Sequence, residues 1–214
     1  MEKKVDKKVD NVGKGKLYEF FTPEYICRKM WDLAYMYGFN PSDKVLEPSA
    51  GTGNMIADAP VKSNVTVFEL KDEYLSDLKN RFPSVISYNQ AFETAYLEPP
   101  RFNSRIKNNS WLASDFGLVI ANPPYGKATG YYKDIVKMKG QTEHWFILNT
   151  LKFLKPGGIG IYIIPSGFIR NGNTYTSVKS AIFELASLID IYRLPNNVFG
   201  KTSIGTDIIV LKKK

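Results

Sequence analysis

The chain has 214 residues, 43% of them hydrophobic and 14% aromatic, which is enough for one sizeable core and argues for one domain rather than two. Its single cysteine, Cys27, excludes an internal disulfide framework, and its single histidine, His144, leaves zinc without ligands unless several carboxylates join, so no metal is expected. The formal net charge of +8 points to a polyanionic partner, and with no apolar run of membrane-spanning length and no signal-like start, a cytoplasmic protein without membrane association is expected.

Residues 1–15, with Lys3, Lys4, Lys7 and Lys8, read as a basic flexible tail; Lys212, Lys213 and Lys214 read equally as a solvated end or as part of a last strand. From residue 16 to 214 one domain is expected. The run PEYICRKMWDLAYMYG sets Ile26, Met30, Leu33, Ala34 and Tyr37 at helical spacing after Pro23 and stops at Gly38, which predicts an amphipathic helix. In KVLEPSAGTGN a short strand around Val45 and Leu46 breaks at Glu47 and Pro48 into a turn of small residues, and MIADA opens a helix. NVTVFEL predicts a second strand ending at Glu69, DEYLSDLKNRF a helix, and SVISYNQAF a third strand.

Between Glu93 and Asp115 there is little periodicity, and Arg101, Arg105 and Lys107 lie among Pro, Asn and Ser in a long, partly irregular excursion. FGLVIA is a fourth, fully buried strand that runs into IANPPYGK. TEHWFILNTLKFLKPGG then predicts a helix closed by a Pro-Gly-Gly turn, IGIYIIP a fifth strand, VKSAIFELASL a helix, IDIYRLP a sixth strand and TDIIVLKKK a seventh. Such alternation predicts an α/β fold with a seven-stranded, mostly parallel sheet and helices on both faces. NNVFGKTSIG joins the last two strands without a helical pattern, so those two are expected to pair antiparallel.

In an open parallel sheet, ligands sit beyond the carboxyl ends of the strands. The unusual residues fall there: Glu47 to Gly53 after the first strand, Glu69 at the end of the second, and Asn122-Pro123-Pro124-Tyr125 after the fourth. Gly51 and Gly53 match two glycines of a dinucleotide fingerprint, but Ile56 stands at the third, which argues against a pyrophosphate cradle. The GKT at 200–202 is not a P-loop, because Pro195 stands where its first glycine belongs. Glu47 suits a cation and Glu69 suits ribose hydroxyls, so a cofactor with a ribose, a positive group and no phosphate is expected, which describes S-adenosylmethionine (S-adenosyl-L-methionine) better than NAD.

The Asn-Pro-Pro-Tyr turn answers a chemical problem. An exocyclic amine on a nucleobase is a poor nucleophile because its lone pair is delocalised into the ring. If the Asn122 side-chain oxygen and the Pro123 carbonyl take both amine hydrogens, the nitrogen can pyramidalise and attack a sulfonium methyl. Pro123 and Pro124 preorganise these acceptors, and Tyr125 offers a flat face for a base turned out of its duplex.

This set of motifs resembles the N6-adenine DNA methyltransferases with an N-terminal cofactor motif, the type I modification subunits and Eco57I-like methylases, from about Lys16 to Lys212. The resemblance implies a Rossmann-like class I methyltransferase fold, S-adenosylmethionine as cofactor, double-stranded DNA as substrate and a specificity or recognition subunit as a further partner. In FFTPEYICRKM, Phe21, Thr22 and Pro23 are similar to residues bordering the methionine moiety. By the same resemblance Glu47 holds the cofactor's amino group, Ser49, Ala50, Gly51 and Gly53 line its pocket, Glu69 binds the ribose, and Leu70, Phe92 and Pro124 contact the cofactor. Phe199, in LPNNVFGKTSIGTDIIVLKK, corresponds to a residue stacking on the second face of the flipped base.

Two features depart from the family pattern. Ala91 replaces an acid expected to meet the cofactor adenine amine, with Asn89 or Gln90 as substitutes. No target-recognition domain is expected within the chain after Leu211. In GKATGYYKDIVKMKGQ, Lys127, Lys133, Lys137 and Lys139 with Tyr131 and Tyr132 have the basic and aromatic character of a nucleic-acid clamp, or of a solvated surface loop, and Arg101 and Arg105 are further candidates for nucleic-acid contact. Two other readings stay open: a catalytically silent cofactor- or DNA-binding subunit, and a methyltransferase acting on protein glutamine or RNA.

Overall fold

The computed structural model of the chain describes residues 21–97, 115–128, 132–170, 173–196, 198–199 and 204–214. The tail 1–15, Arg101, Arg105, Tyr131 and the 200–202 turn lie outside them.

Six consecutive buried residues form β4 (Phe116–Ala121), and a strand of that kind needs a covered layer on each face. Around it stand β1 (Lys44–Glu47), β2 (Val65–Glu69), β3 (Ile86–Asn89), β5 (Leu154–Pro165), β6 (Ala186–Arg193) and β7 (Thr206–Lys213), in the order β3-β2-β1-β4-β5-β7-β6. The first five neighbours pair in parallel, whereas β7 runs antiparallel to both β5 and β6. The helices are α1 (Glu24–Met36), α2 (Asp72–Arg81), α3 (Phe92–Leu97), α4 (Lys133–Lys137), α5 (Thr142–Thr150) and α6 (Thr176–Leu185). Alternate strand residues divide the core. Val45, Val67, Leu118, Ile120 and Ile161 pack with α1 and with Leu78 of α2. On the other face, Leu46, Phe68, Val119, Ala121 and Tyr162 pack with Phe92, Phe146, Val178 and Ile182.

Several boundaries differ from the sequence expectation. The helix expected from MIADA is a single 3-10 turn, Asn54–Ile56, because Pro60 leaves a run too short to nucleate an α-helix. Instead α1 covers this region, and the Trp31 indole donates to the Met55 carbonyl at 2.7 Å. The fifth strand begins at Leu154 rather than after the glycines. Leu154 pairs with Phe116 and Ile159 with Leu118, so Lys155 to Gly158 bulge out of the ladder. The last helix stops at Leu185, three residues before the end of VKSAIFELASL, since Ala186 turns extended to pair with Lys213. The C-terminal lysines are not a loose end: Lys212 and Lys213 belong to β7, and the Lys214 amide donates to Leu185. The irregular excursion opens with α3, and the basic loop contains α4, whose Ile135 is buried. No described helix is long and apolar enough to cross a membrane.

Glycine is required inside the sheet at Gly117, where a Cβ would run into Asp43 Cβ, and at Gly160. Gly160 and Tyr162 share a face of β5, and the tyrosine ring folds back so that a Cβ on Gly160 would lie 2.7 Å from Cε2. Thr150 Oγ1 of α5 donates to the Phe146 carbonyl at 2.7 Å, so in its 2.8 Å contact with Tyr162 the tyrosine hydroxyl is the donor. Gly160→Ala is expected to destabilise the fold by about 1–3 kcal/mol through overpacking. Tyr162→Phe is expected to cost about 1 kcal/mol. Denaturant midpoints at unchanged slope check both.

Candidate active site

The sheet order places β1 between β2 and β4, so the chain leaves β1 on one side and β4 on the other, the point where such sheets open a crevice. Glu47 ends β1, Glu69 ends β2 and Asn122 follows β4; all three line one cavity. The cavity wall also carries Phe21, Thr22, Ser49, Ala50, Gly51, Leu70, Phe92, Pro123 and Pro124. Pro23 and Gly53, named with them from the sequence, do not line it. Pro23 caps α1, its carbonyl accepting from Ile26 and Cys27, and Gly53 shapes the loop from behind.

The loop after β1 is drawn tight by its own backbone. Gly53 has φ +83°, which only glycine adopts readily, and a Cβ there would meet Leu78 at 3.2 Å. Gly51 lies under Phe21, with a Cβ position 3.2 Å from its ring, so the chain backbone itself forms the floor. The Gly51 amide donates to Glu69 Oε2 at 2.8 Å and the Lys71 amide to Oε1 at 2.7 Å. Both oxygens are thereby fixed, and a carboxylate oxygen accepts from more than one direction, which suits the group to receiving hydroxyls as well. Glu47 is 1% exposed and receives the Ser49 amide (2.9 Å) and hydroxyl (3.2 Å) on Oε1 alone. Burial pushes its carboxyl up to about 8 against the pull of those two bonds, and the nearby Glu69 adds to the rise. A buried carboxylate of this kind is completed by a cation.

The catalytic candidate Asn122 is clamped from two sides. Its Nδ2 donates to Thr22 Oγ1 at 3.1 Å and its Oδ1 accepts from the Tyr125 hydroxyl at 2.5 Å. Its backbone carbonyl lies 3.4 Å from Ser49 Oγ, the longer arm of a hydroxyl shared with Glu47 Oε1, which ties the turn to the β1 loop. A carboxamide oxygen has two lone pairs, so Oδ1 can accept a second hydrogen while the tyrosine bond stands. Tyr125 is 5% exposed and packs into the layer beneath α1; its ring faces protein. Phe199 is partly buried against that same cluster. Lys127, Lys133, Lys137 and Lys139 are exposed along the segment after the turn.

Some residues escaped the sequence reading. Glu143, at the start of α5, is buried and accepts the Gly126 amide at 3.2 Å, while the Thr142 amide donates to the Gly126 carbonyl at 2.9 Å. The helix thereby fixes the far side of the Asn-Pro-Pro-Tyr turn. Burial raises the Glu143 carboxyl to about 7 and its charge helps push the Tyr125 phenol upward. Glu93 lines the cavity with a carboxyl raised by burial and accepts the Tyr132 hydroxyl at 2.6 Å. An isolated acid in a mainly apolar run, TEHWFIL, was the available signal for Glu143. Cys27 and His144 do structural work: burial pushes the Cys27 thiol up to about 12 and the imidazole down to about 3. His144 Nδ1 accepts the Gln141 amide at 3.0 Å in a capping box on α5.

The family model described as N-6 DNA Methylase matches residues 7–214. The chain is 27% identical over 214 residues to modification methylase CviBIII of Paramecium bursaria Chlorella virus NC1A, an overlap of 97% of this chain and 52% of that protein. It superposes on the type I restriction-modification system methyltransferase subunit from Streptococcus thermophilus with a TM-score of 0.67 at 21% identity, over 93% of this chain and 46% of that one. It superposes likewise on N-methyltransferase NodS from Bradyrhizobium japonicum WM9, solved with S-adenosyl-L-homocysteine, with a TM-score of 0.57 at 14% identity, over 90% and 88%. The chain spans about half the length, or less, of the curated relatives it matches. The fold is that of the class I S-adenosylmethionine-dependent methyltransferases, as the sequence resemblance implied. With its strand order, its strand-end carboxylates and a family match over nearly the whole chain, the protein belongs to the N-6 DNA methylase family.

Proposed function

We propose that the protein transfers a methyl group from S-adenosylmethionine to N6 of an adenine turned out of double-stranded DNA. The observation that carries this reading is the Asn122 carboxamide, held at the wall of a cavity that also carries the buried Glu47 carboxylate and Glu69, an acid placed to meet ribose hydroxyls. The residues present fit the cofactor: Glu47 for its ammonium, Glu69 for its ribose hydroxyls, and Leu70, Phe92 and Pro124 as apolar surface for its base. When bound, S-adenosylmethionine supplies an electrophilic methyl on a sulfonium.

The chain's own contribution is positional. Asn122 Oδ1 and the Pro123 carbonyl accept the two hydrogens of the target amine, which withdraws its lone pair from the ring and points it along the line of attack. Thr22 and Tyr125 hold the carboxamide so that its oxygen is the acceptor, and Glu143 and Gly126 hold the turn. Tyr125 and Phe199, which both pack into the core layer that contains α1, are the proposed faces for the flipped base, which requires the Tyr125 ring to turn out of its buried position. Lys127, Lys133, Lys137 and Lys139 supply phosphate contacts, with salt-dependent affinity as the consequence. Relatives named as methylase subunits of type I restriction enzymes support a specificity or recognition subunit as partner.

Incubation of the protein with S-adenosylmethionine and mixed-sequence duplex DNA is expected to yield N6-methyladenine by nucleoside mass spectrometry. Cofactor binding without any methylated base would favour a partner-dependent or silent subunit. Asn122→Ala is expected to reduce transfer by at least about a hundredfold, with the cofactor dissociation constant within about twofold of wild type; parallel loss of both would remove Asn122 from its assigned role.

Cofactor affinity should also depend on pH. Below about 8, Glu47 carries a proton in the unliganded protein, and an arriving ammonium must displace it. Affinity for S-adenosylhomocysteine is therefore expected to rise from pH 6 to pH 8, by at most about tenfold per unit. Glu47→Gln should bind more weakly and lose this rise, as titration calorimetry at the two pH values would show.

A further inference from the structure

We propose that Asn54 is a positioning residue: its side chain bridges Arg81 of α2 to Thr22 and thereby sets the hydroxyl that holds the Asn122 carboxamide; this rests on the role given to Asn122 above. The bridge has a direction. Arg81, the last residue of α2, lies over the Phe82 ring with its Cζ 4.9 Å from the ring centre. Its Nη1 donates to the Thr52 carbonyl at 2.6 Å and to Asn54 Oδ1 at 3.3 Å. A guanidinium has donors alone, so the Asn54 oxygen faces it and Asn54 Nδ2 faces away. That Nδ2 donates to the Thr22 carbonyl at 3.3 Å, and the hydroxyl of the same threonine takes Asn122 Nδ2 at 3.1 Å.

Both ends of the bridge are anchored. Asn54 opens the 3-10 turn directly after Gly53, whose φ of +83° swings the chain there, and Trp31 of α1 holds the next residue through the Met55 carbonyl. Thr22 precedes Pro23, which caps α1 in an extended conformation, so the hydrogen bonds of the helix begin after it. Its carbonyl is taken instead by side chains, Asn54 Nδ2 and the Cys27 thiol at 3.7 Å. A thiol is a weak donor, which makes the amide the firmer of the two. Thr22 and Asn54 both line the cavity, so the bridge joins the walls that the segment before α1 and the β1 loop contribute to it.

The hydroxyls on either side of the Asn122 carboxamide, those of Thr22 and Tyr125, can each donate or accept, and they steady it only as far as their own positions are fixed. Tyr125 is fixed by burial in the core. Thr22 is fixed by Asn54. Loss of that bond frees the segment before α1 and takes the Thr22 hydroxyl out of reach of Asn122. Arg81 is exposed, and a bond in that setting contributes little to stability, so the loss appears in orientation rather than in the fold.

Two variants isolate the bond. Asn54→Asp keeps the size and still accepts from Arg81 but has no donor for Thr22; Asn54→Leu has a similar shape, no charge and neither bond. In isotope-labelled protein the Asn122 side-chain amide resonance is identified by its absence from Asn122→Ala. Its protons are expected to exchange with water roughly tenfold faster in both variants than in wild type, with thermal midpoints close to that of wild type. The single-turnover rate of methyl transfer to duplex DNA at saturating S-adenosylmethionine is expected to fall roughly tenfold in both. Thr22→Val should cause a similar fall, and combining it with Asn54→Leu should cause no further one, because the two act through one contact. Unchanged amide exchange overturns the proposal, as does additive loss in the double variant or slowing confined to Asn54→Asp, which would be an effect of charge. Midpoints several degrees lower in both variants also overturn it, since Asn54 would then serve the fold. A wild type that transfers no methyl group overturns the proposed reaction instead; amide exchange, which needs no DNA, then decides the placement of Asn54 by itself.

Discussion

The parallel ladder that seats β1 between β2 and β4 is the constraint on which the site depends. Val45, Leu46 and Glu47 pair with Val65, Thr66 and Val67 on one side, and Val45 and Leu46 with Leu118 and Val119 on the other. Those registers end three strands at one level. Glu47, Glu69 and Asn122, far apart in the chain, then line one cavity without any long loop to carry them. A slip of one residue in β4 would exchange its two buried faces and turn the Asn-Pro-Pro-Tyr turn away from the crevice. The two buried faces differ in volume, Leu118 and Ile120 on one against Val119 and Ala121 on the other, and that difference disfavours the slip.

The polar groups on this frame are fixed by different means. Glu69 is anchored by two backbone amides and Asn122 by two hydroxyls, so neither needs a ligand to be oriented. Glu47 is anchored through one oxygen only and lies deep enough that burial raises its carboxyl to about 8. Gln90 lies at the other extreme, buried with neither polar atom paired among the described residues.

The Asn-Pro-Pro-Tyr turn is braced from three directions. Thr22 reaches it from the segment before α1, Ser49 from the β1 loop, and Glu143 with Thr142 from the start of α5. Two prolines remove backbone freedom inside the turn, and these contacts remove it outside. Tyr125 has the same economy: its hydroxyl steadies Asn122 while its ring fills the core beneath α1. For that ring to serve a flipped base, as proposed, it must leave its place in the core.

The layer architecture and the strand-end chemistry were legible in the order of residues alone. Alternating periodicity specified a parallel sheet with a final antiparallel pair, and Glu47, Glu69 and Asn122 were identifiable because each interrupts an apolar run where a strand stops. Tertiary structure decided the rest, for reasons that local patterns do not carry. Insertion of β7 between β5 and β6 depends on long-range pairing, as does the early end of α6 at Leu185. MIADA looked helical, but Pro60 and the cover supplied by α1 left one 3-10 turn. Tyr125 read as an exposed face and is buried, because burial is set by what α1 brings over it. Asn89 and Gln90 read alike in the sequence and differ through the pleat: Asn89 meets Asp72 at the surface, while Gln90, one residue on, is buried in the cavity wall.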